Sequence, residues 1–175
     1  MEIILINHAE RDKASGKDDR DQPLDPKKGV EQVEQLVLRL RKRNKPTLYL
    51  TSRNAHAKET ADRVCEALGG VPATDVVELN ALTPDQRTES MLDIYEQAKA
   101  ARHDLLRHKV IVIVGHSPRL EQLFAYLTFR TAAPKRLKKG QEVYLTIEDF
   151  HDGNGQGQWP GAVGRQTDKP NTAAE

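Results

Sequence analysis

One cysteine, Cys65, stands in 175 residues. A single thiol closes no internal disulfide and builds no multi-cysteine metal site. Cys65 follows Val64 inside a helical pattern, so we read it as a buried structural thiol and not a reactive one. No apolar run approaches the roughly 18 residues a membrane-spanning helix needs. The N-terminal apolar stretch is short and has no basic segment before it, which predicts no signal peptide. Net charge is nearly absent at +1, leaving no global electrostatic case for nucleic acid or an anionic membrane. The chain has six histidines, but none in an H-x-H or H-E-x-x-H spacing, so no local metal motif stands out. Together these absences predict a cytoplasmic protein that binds neither nucleic acid nor membrane.

What is present is a series of short aliphatic runs alternating with helical patterns. Hydrophobic residues make 37% and charged residues 30% of a chain long enough for one domain with a real core. Ile3 to Ile6 is short, uninterrupted and rich in β-branching, the pattern of a strand covered on both faces. Residues 12–28 are polar and read as a surface loop. Val30, Val33, Leu36, Val37 and Leu40 fall at helical spacing, and Arg39 to Arg43 place positive charge at that helix's C-terminal end. Thr47 to Thr51 predicts a second strand, and Ala55 to Leu68 a helix stopped by Gly69-Gly70. Val76 to Leu79 predicts a third strand. Thr83 as N-cap with Pro84 at the first position predicts a helix reaching about Arg107. Val110 to Val114 is the strongest strand, and Leu120, Leu123, Phe124 and Leu127 mark the helix after it. Glu142 to Ile147 alternates as a last strand. Residues 151–175 are almost without apolar side chains and are expected to form a disordered tail, with Trp159 docking locally.

Alternating strands and helices predict an α/β three-layer sandwich over residues 1–150: a mostly parallel sheet with helices on both faces. Ligands in such sheets bind beyond the carboxyl ends of the strands. Three strand ends are thereby singled out: Asn7-His8, Ser52-Arg53 and Gly115-His116. Two histidines at equivalent strand ends, without cysteines, suit either phosphoryl transfer through histidine or a metal. His103, His108 and His151 lie on polar segments and receive no role.

Several segments resemble, in order and spacing, the histidine phosphatase superfamily and its small SixA-type phosphohistidine phosphatases. They are Asn7-His8-Ala9; Gln22-Pro23-Leu24 followed by Gly29; Thr51-Ser52 with Lys58-Glu59-Thr60-Ala61; Leu82-Thr83-Pro84; and Val114-Gly115-His116-Ser117-Pro118. The resemblance covers about residues 1–149 and implies the phosphoglycerate mutase-like fold. It implies that His8 is the nucleophile that becomes phosphorylated and that His116 contacts the phosphoryl group. The substrate it implies is a phosphorylated protein or a small phosphoester, and it calls for no cofactor and no metal.

The departures from the family pattern matter more than the matches. Relatives carry arginine where this chain has Asn7, and a second arginine at the position aligned with His56. A transferring phosphoryl group spreads charge over three oxygens, and positioned cations supply most of its catalysis. Losing one such group costs about 10²–10³ in rate. Asparagine and histidine offer single donors and no bidentate fork. Arg11, Arg53 and Arg119 are the candidate replacements, with Ser52 beside them at the second strand end. Glu78 or Asp85 is the candidate general acid. The basic run Lys135 to Lys139 reads as a solvated loop.

Three functions follow from these residues. The first is a SixA-like phosphatase with weakened activity. The second is a catalytically impaired pseudophosphatase that serves as a binding module. The third is a cation site built from His8, His56 and His116, since loss of the arginines favours a cation over a phosphate.

Overall fold

The computed structural model describes residues 1–84, 92–128, 135–148 and 156–158. Six strands form one sheet: β1 (Glu2–Asn7), β2 (Leu48–Thr51), β3 (Val76–Glu78), β4 (Val110–Gly115), β5 (Glu142–Thr146) and β6 (Gln156–Gln158), in the order β3-β2-β4-β1-β5-β6. β3, β2, β4 and β1 run parallel, whereas β5 is antiparallel to β1, and β6 to β5. The helices are α1 (Lys28–Leu40), α2 (Ala55–Ala67), the one-turn α3 (Pro72–Asp75), α4 (Leu92–Ala101) and α5 (Arg119–Leu127).

The aliphatic run of β1 explains the layering. Successive strand residues point to opposite faces, and Ile3, Ile4, Leu5 and Ile6 are all fully buried, so both faces must be covered. Ile4 and Ile6 pack with Tyr49, Val112 and Val114 beneath Val33, Leu36, Val37 and Leu40 of α1 and Ala57, Ala61, Val64 and Cys65 of α2. Ile3 and Leu5 pack with Leu50, Ile111 and Ile113 beneath Ile94, Tyr95 and Ala98 of α4 and Leu120, Leu123, Phe124 and Leu127 of α5. The result is the expected three-layer α/β sandwich. Cys65 lies inside it, where burial raises its thiol pKa to about 11. Among the described residues no helix is long and apolar enough to cross a membrane.

Two close approaches tie the periphery to the strand end of β1. A Cβ added to Gly29, in the first turn of α1, would lie 2.4 Å from the Glu10 carbonyl oxygen, so only glycine lets the helix start there. Gly140 adopts φ +68°, and its N–H donates to the carbonyls of Asn7 (3.0 Å) and His8 (3.2 Å). Arg39 at the end of α1 makes a two-pronged bond to Glu142 at 2.7 and 2.8 Å and also donates to the Gly140 carbonyl.

The structure departs from the sequence reading in three places. The helix expected to reach Arg107 ends at Ala101, and Leu105–Arg107 form a separate 3₁₀ turn. The Arg102 guanidinium there is held by Asp104 and the Thr74 carbonyl, which fixes the chain in a turn. The start of that helix after Pro84 lies outside the described residues. The polar stretch 12–28 contains a 3₁₀ turn at Lys13–Ser15, capped by the Asp12 carboxylate, and an Arg11–Leu24 bridge. Within the segment read as a disordered tail, Gln156–Gln158 form β6 on the open edge of β5, a pairing that needs only backbone groups. The remainder of that segment, with His151 and Trp159, lies outside the described residues.

Candidate functional site

The parallel register sets the carboxyl ends of β1, β2 and β4 side by side. Asn7 pairs with Gly115, the His8 N–H donates to the Gly115 carbonyl (3.1 Å), and the Ser52 N–H donates to the Val114 carbonyl (3.3 Å). His8 and His116 therefore leave adjacent strands at one level. α2 opens three residues after Ser52, and the Ala55 N–H donates to the Arg20 carbonyl at 2.7 Å. Its first turn carries His56 over the same spot. The ring centroids lie 4.3 Å apart for His8 and His56, 4.6 Å for His8 and His116, and 5.3 Å for His56 and His116. All three are buried.

Hydrogen bonds fix what each ring presents. His8 Nδ1 donates to the Ala9 carbonyl at 2.7 Å, and His56 Nδ1 donates to the Gln22 carbonyl at 3.1 Å. A carbonyl only accepts, so Nδ1 carries the proton in both rings and Nε2 keeps a lone pair. His116 Nε2 lies 2.8 Å from the Ser52 hydroxyl, which can give or take a proton. Burial, reinforced by His116 and His56 close by, depresses the His8 pKa to about 2. Burial depresses that of His56 to about 4. Both rings are neutral at physiological pH. Thr60 joins the two from below, its hydroxyl donating to the His56 carbonyl (2.7 Å) and accepting from the Ala9 N–H (3.2 Å).

A cavity of about 740 Å³ opens above the rings, and its lining includes Asn7, His8, Arg11, His56 and His116. Of the residues singled out in the sequence, these five meet there, with Ser52 fully buried behind His116. The others stand apart. Arg53 is exposed and does not line the cavity; its backbone N–H donates to the Thr83 hydroxyl. Arg119 is half-buried on α5 and is also absent from the lining. Glu78, an exposed residue 4.0 Å from Lys58, does not line it either, which removes it as a general acid acting in this cavity. Asp85 lies outside the described residues.

Asn7 is partly committed to the fold. One N–H of its amide donates to the Leu137 carbonyl at 2.7 Å, and its Oδ1 is left buried without a partner. The residue in the arginine's position ties down the 135–140 segment with one N–H and keeps only its second N–H for any other partner. Arg11 does reach the cavity, but its guanidinium is paired with Asp19 at 2.8 Å.

Lys139 is the functional candidate the sequence reading missed. The run Lys135 to Lys139 was expected to be a solvated loop, and Lys135, Arg136 and Lys138 are exposed as expected, but Arg136, Lys138 and the half-buried Lys139 also line the cavity. Lys139 Nζ sits 2.6 Å from Glu10, which also meets Lys28 at 3.6 Å. A signal was available: an antiparallel last strand beside β1 starts at the carboxyl end of β1, so the residues before it arrive at the site. Arg20, Lys13 and Lys28 add further positive charge to the rim.

The arrangement offers neutral nitrogen lone pairs at the floor and cations around the mouth. Such a site can attack or coordinate an electrophile and can attract an anion.

No family model matches the sequence, and no curated protein matches it. Solved structures do match the fold. The protein histidine phosphatase SixA complexed with tungstate superimposes with a TM-score of 0.73 at 18% identity, over 91% of this chain and 95% of that one. A mycobacterial glucosyl-3-phosphoglycerate phosphatase in complex with VO3 gives 0.65 at 18% identity, over 90% and 97%. The alpha-ribazole phosphatase from Shigella flexneri gives 0.61 at 19% identity, over 86% and 92%. The chain has the fold of the histidine phosphatases.

Proposed function

We propose that this chain is a SixA-like member of the histidine phosphatase superfamily that accepts a phosphoryl group on His8, at a rate reduced by the loss of both arginine clamps. The observation that supports it is the state of His8: Nδ1–H is held by the Ala9 carbonyl and the ring is neutral, at the floor of a cation-rimmed cavity. Two of the structural relatives are complexes with tungstate and VO3, oxyanions that occupy phosphate sites.

In this reading His8 Nε2 attacks phosphorus as the bond from phosphorus to the leaving group breaks. The leaving group takes up a proton, and water then cleaves the new N–P bond to release phosphate. A phosphohistidine donor leaves as an imidazole and needs little acid assistance, in keeping with the absence of Glu78 from the cavity. Lys139 and Arg11 are two of the cations on hand, each tied to a carboxylate and neither a bidentate fork aimed by design at phosphate. Two missing guanidinium groups, at about 10²–10³ each, leave slow chemistry. The substrate is a phosphorylated protein or a small phosphoester.

The test is turnover of an aryl phosphate and of a phosphohistidine peptide by chelator-treated protein, with capture of the acid-labile phosphoenzyme. Slow turnover is expected, abolished by His8→Ala and raised by Asn7→Arg with His56→Arg. A rate typical of an ordinary phosphatase, lost in His8→Ala, refutes the weakened clamp. No phosphoenzyme in either the wild type or the folded double variant refutes phosphoryl transfer and leaves the pseudophosphatase that binds without turnover.

A further inference from the structure

The cavity floor is rich in nitrogen acceptors. One ligand nitrogen from each of His8, His56 and His116 lies within 4.8 Å of the other two. The three come from separate elements, the end of β1, the first turn of α2 and the end of β4, so the fold itself gathers them. Two are held in one tautomer by backbone carbonyls behind them, the outer-shell arrangement that orients metal-binding histidines. Asn7 and Asn54 line the same cavity, and the Oδ1 of each is buried without a partner. For Asn7 one amide N–H goes to the Leu137 carbonyl, which fixes the amide's orientation and makes the orphaned atom the acceptor oxygen. A bare anion would bring more acceptors to such a floor. A cation would bring a Lewis acid for the nitrogens.

We propose that His8, His56 and His116 bind a first-row divalent cation of the zinc class, with a fourth coordination position open to the cavity. Zn–N bonds of about 2.0–2.1 Å in a tetrahedron set nitrogens roughly 3.3 Å apart, so the rings must close by no more than about 1.5 Å. Three imidazoles without a carboxylate select zinc, cobalt, nickel or copper over magnesium or calcium. The fourth position faces the rim lysines and arginines and takes water or an anion. The site does not depend on phosphoryl transfer. It opposes it, because a metal on His8 Nε2 occupies the lone pair that must attack phosphorus.

The probes are zinc chloride by titration calorimetry and cobalt chloride by visible absorption, added to the chelator-treated, desalted full chain. One zinc per chain, bound at micromolar Kd or tighter, is expected, with intense cobalt bands of tetrahedral coordination and no heat from magnesium. His8→Ala, His56→Ala and His116→Ala should each weaken zinc by more than the roughly 10–100-fold that loss of an outer-shell partner costs. His103→Ala, at an exposed histidine, should leave it unchanged. His56→Arg, which keeps a long polar side chain on α2, guards against an alanine variant that fails to fold, and it should also lose zinc. The proposal is overturned by millimolar binding, by octahedral cobalt spectra in the wild type, or by affinity that His56→Arg leaves intact. A phosphoenzyme formed by protein that does not hold zinc overturns the metal site alone. Zinc bound by protein that never forms a phosphoenzyme overturns only the phosphatase.

Discussion

Glu10 shows how much of this cavity's character rests on single side chains. Two residues past His8, its carboxylate holds Lys139 at 2.6 Å and Lys28 at 3.6 Å, so two cations at the mouth are partly neutralised. Those lysines in turn keep the Glu10 carboxyl below the ordinary carboxylate range against the opposing effect of burial. Glu10→Gln should therefore release positive charge toward the cavity. We expect inorganic phosphate or vanadate to bind about fivefold more tightly at low salt, the scale of one partly exposed ion pair, with the gain shrinking as salt rises. Competition of each anion in an equilibrium binding assay reads this out. An unchanged or weaker affinity would show that Lys139 and Lys28 do not face the bound anion. At this same scale the sequence was least legible. That Asn7 and His56 replace arginines could be read from position, but that one Asn7 amide N–H is given to Leu137 depends on a partner 130 residues away.

Elements were more legible than residues because their signals are local. The aliphatic runs of β1 and β4 and the helical spacing of α1, α2 and α5 announce themselves within a few residues, and the parallel-sheet rule then places His8, Ser52 and His116 at one edge. What escaped was set from outside each element. α4 ends early where Arg102 is captured by Asp104 and the Thr74 carbonyl, and β6 forms because β5 has an open edge. The turn into β5 carries the solvent-facing charge it was read to carry, and it is also a strut under the site. Gly140 holds φ +68° with the Gln32 Cβ only 3.0 Å from where its own Cβ would stand. Gly140→Ala should destabilise the fold by about 1–3 kcal/mol, the cost of a left-handed non-glycine residue plus crowding. The loss should appear as a lower urea midpoint, with weaker anion binding as Lys139 moves with the turn. A midpoint equal to the wild type would mean that the turn relaxes freely.

The whole molecule carries the cost of keeping imidazoles neutral inside it. In the unfolded chain they titrate near 6.5; folded, His56 is held at about 4 and His8 at about 2. The unfolded state therefore binds more protons as pH falls below 6.5, so stability is full above that value and declines toward pH 4 and beyond. His56 alone accounts for about 3 kcal/mol by pH 4. The carboxyls of Glu10, Asp25 and Asp104 are lowered from 4.5, 3.8 and 3.8, so their losses begin only in the more acidic range. The decline between 6.5 and 4.5 belongs to the histidines. Urea denaturation from neutral pH downward should show it, and His56→Gln should flatten its upper part. Stability that stays level through that range in the wild type would contradict the buried neutral cluster.

β1 lies at the middle of the sheet, and its neighbours are β4 and β5, at residues 110–115 and 142–146. A chain emerging from the ribosome makes β1 long before either partner exists. Four consecutive aliphatic residues must wait unpaired until about a hundred further residues are made, and only long loop closures bring them home. Slow, late-completing folding follows, with a stretch exposed meanwhile that favours β-aggregation. The histidine at the end of that strand is made about a hundred residues before the strands that complete its surroundings.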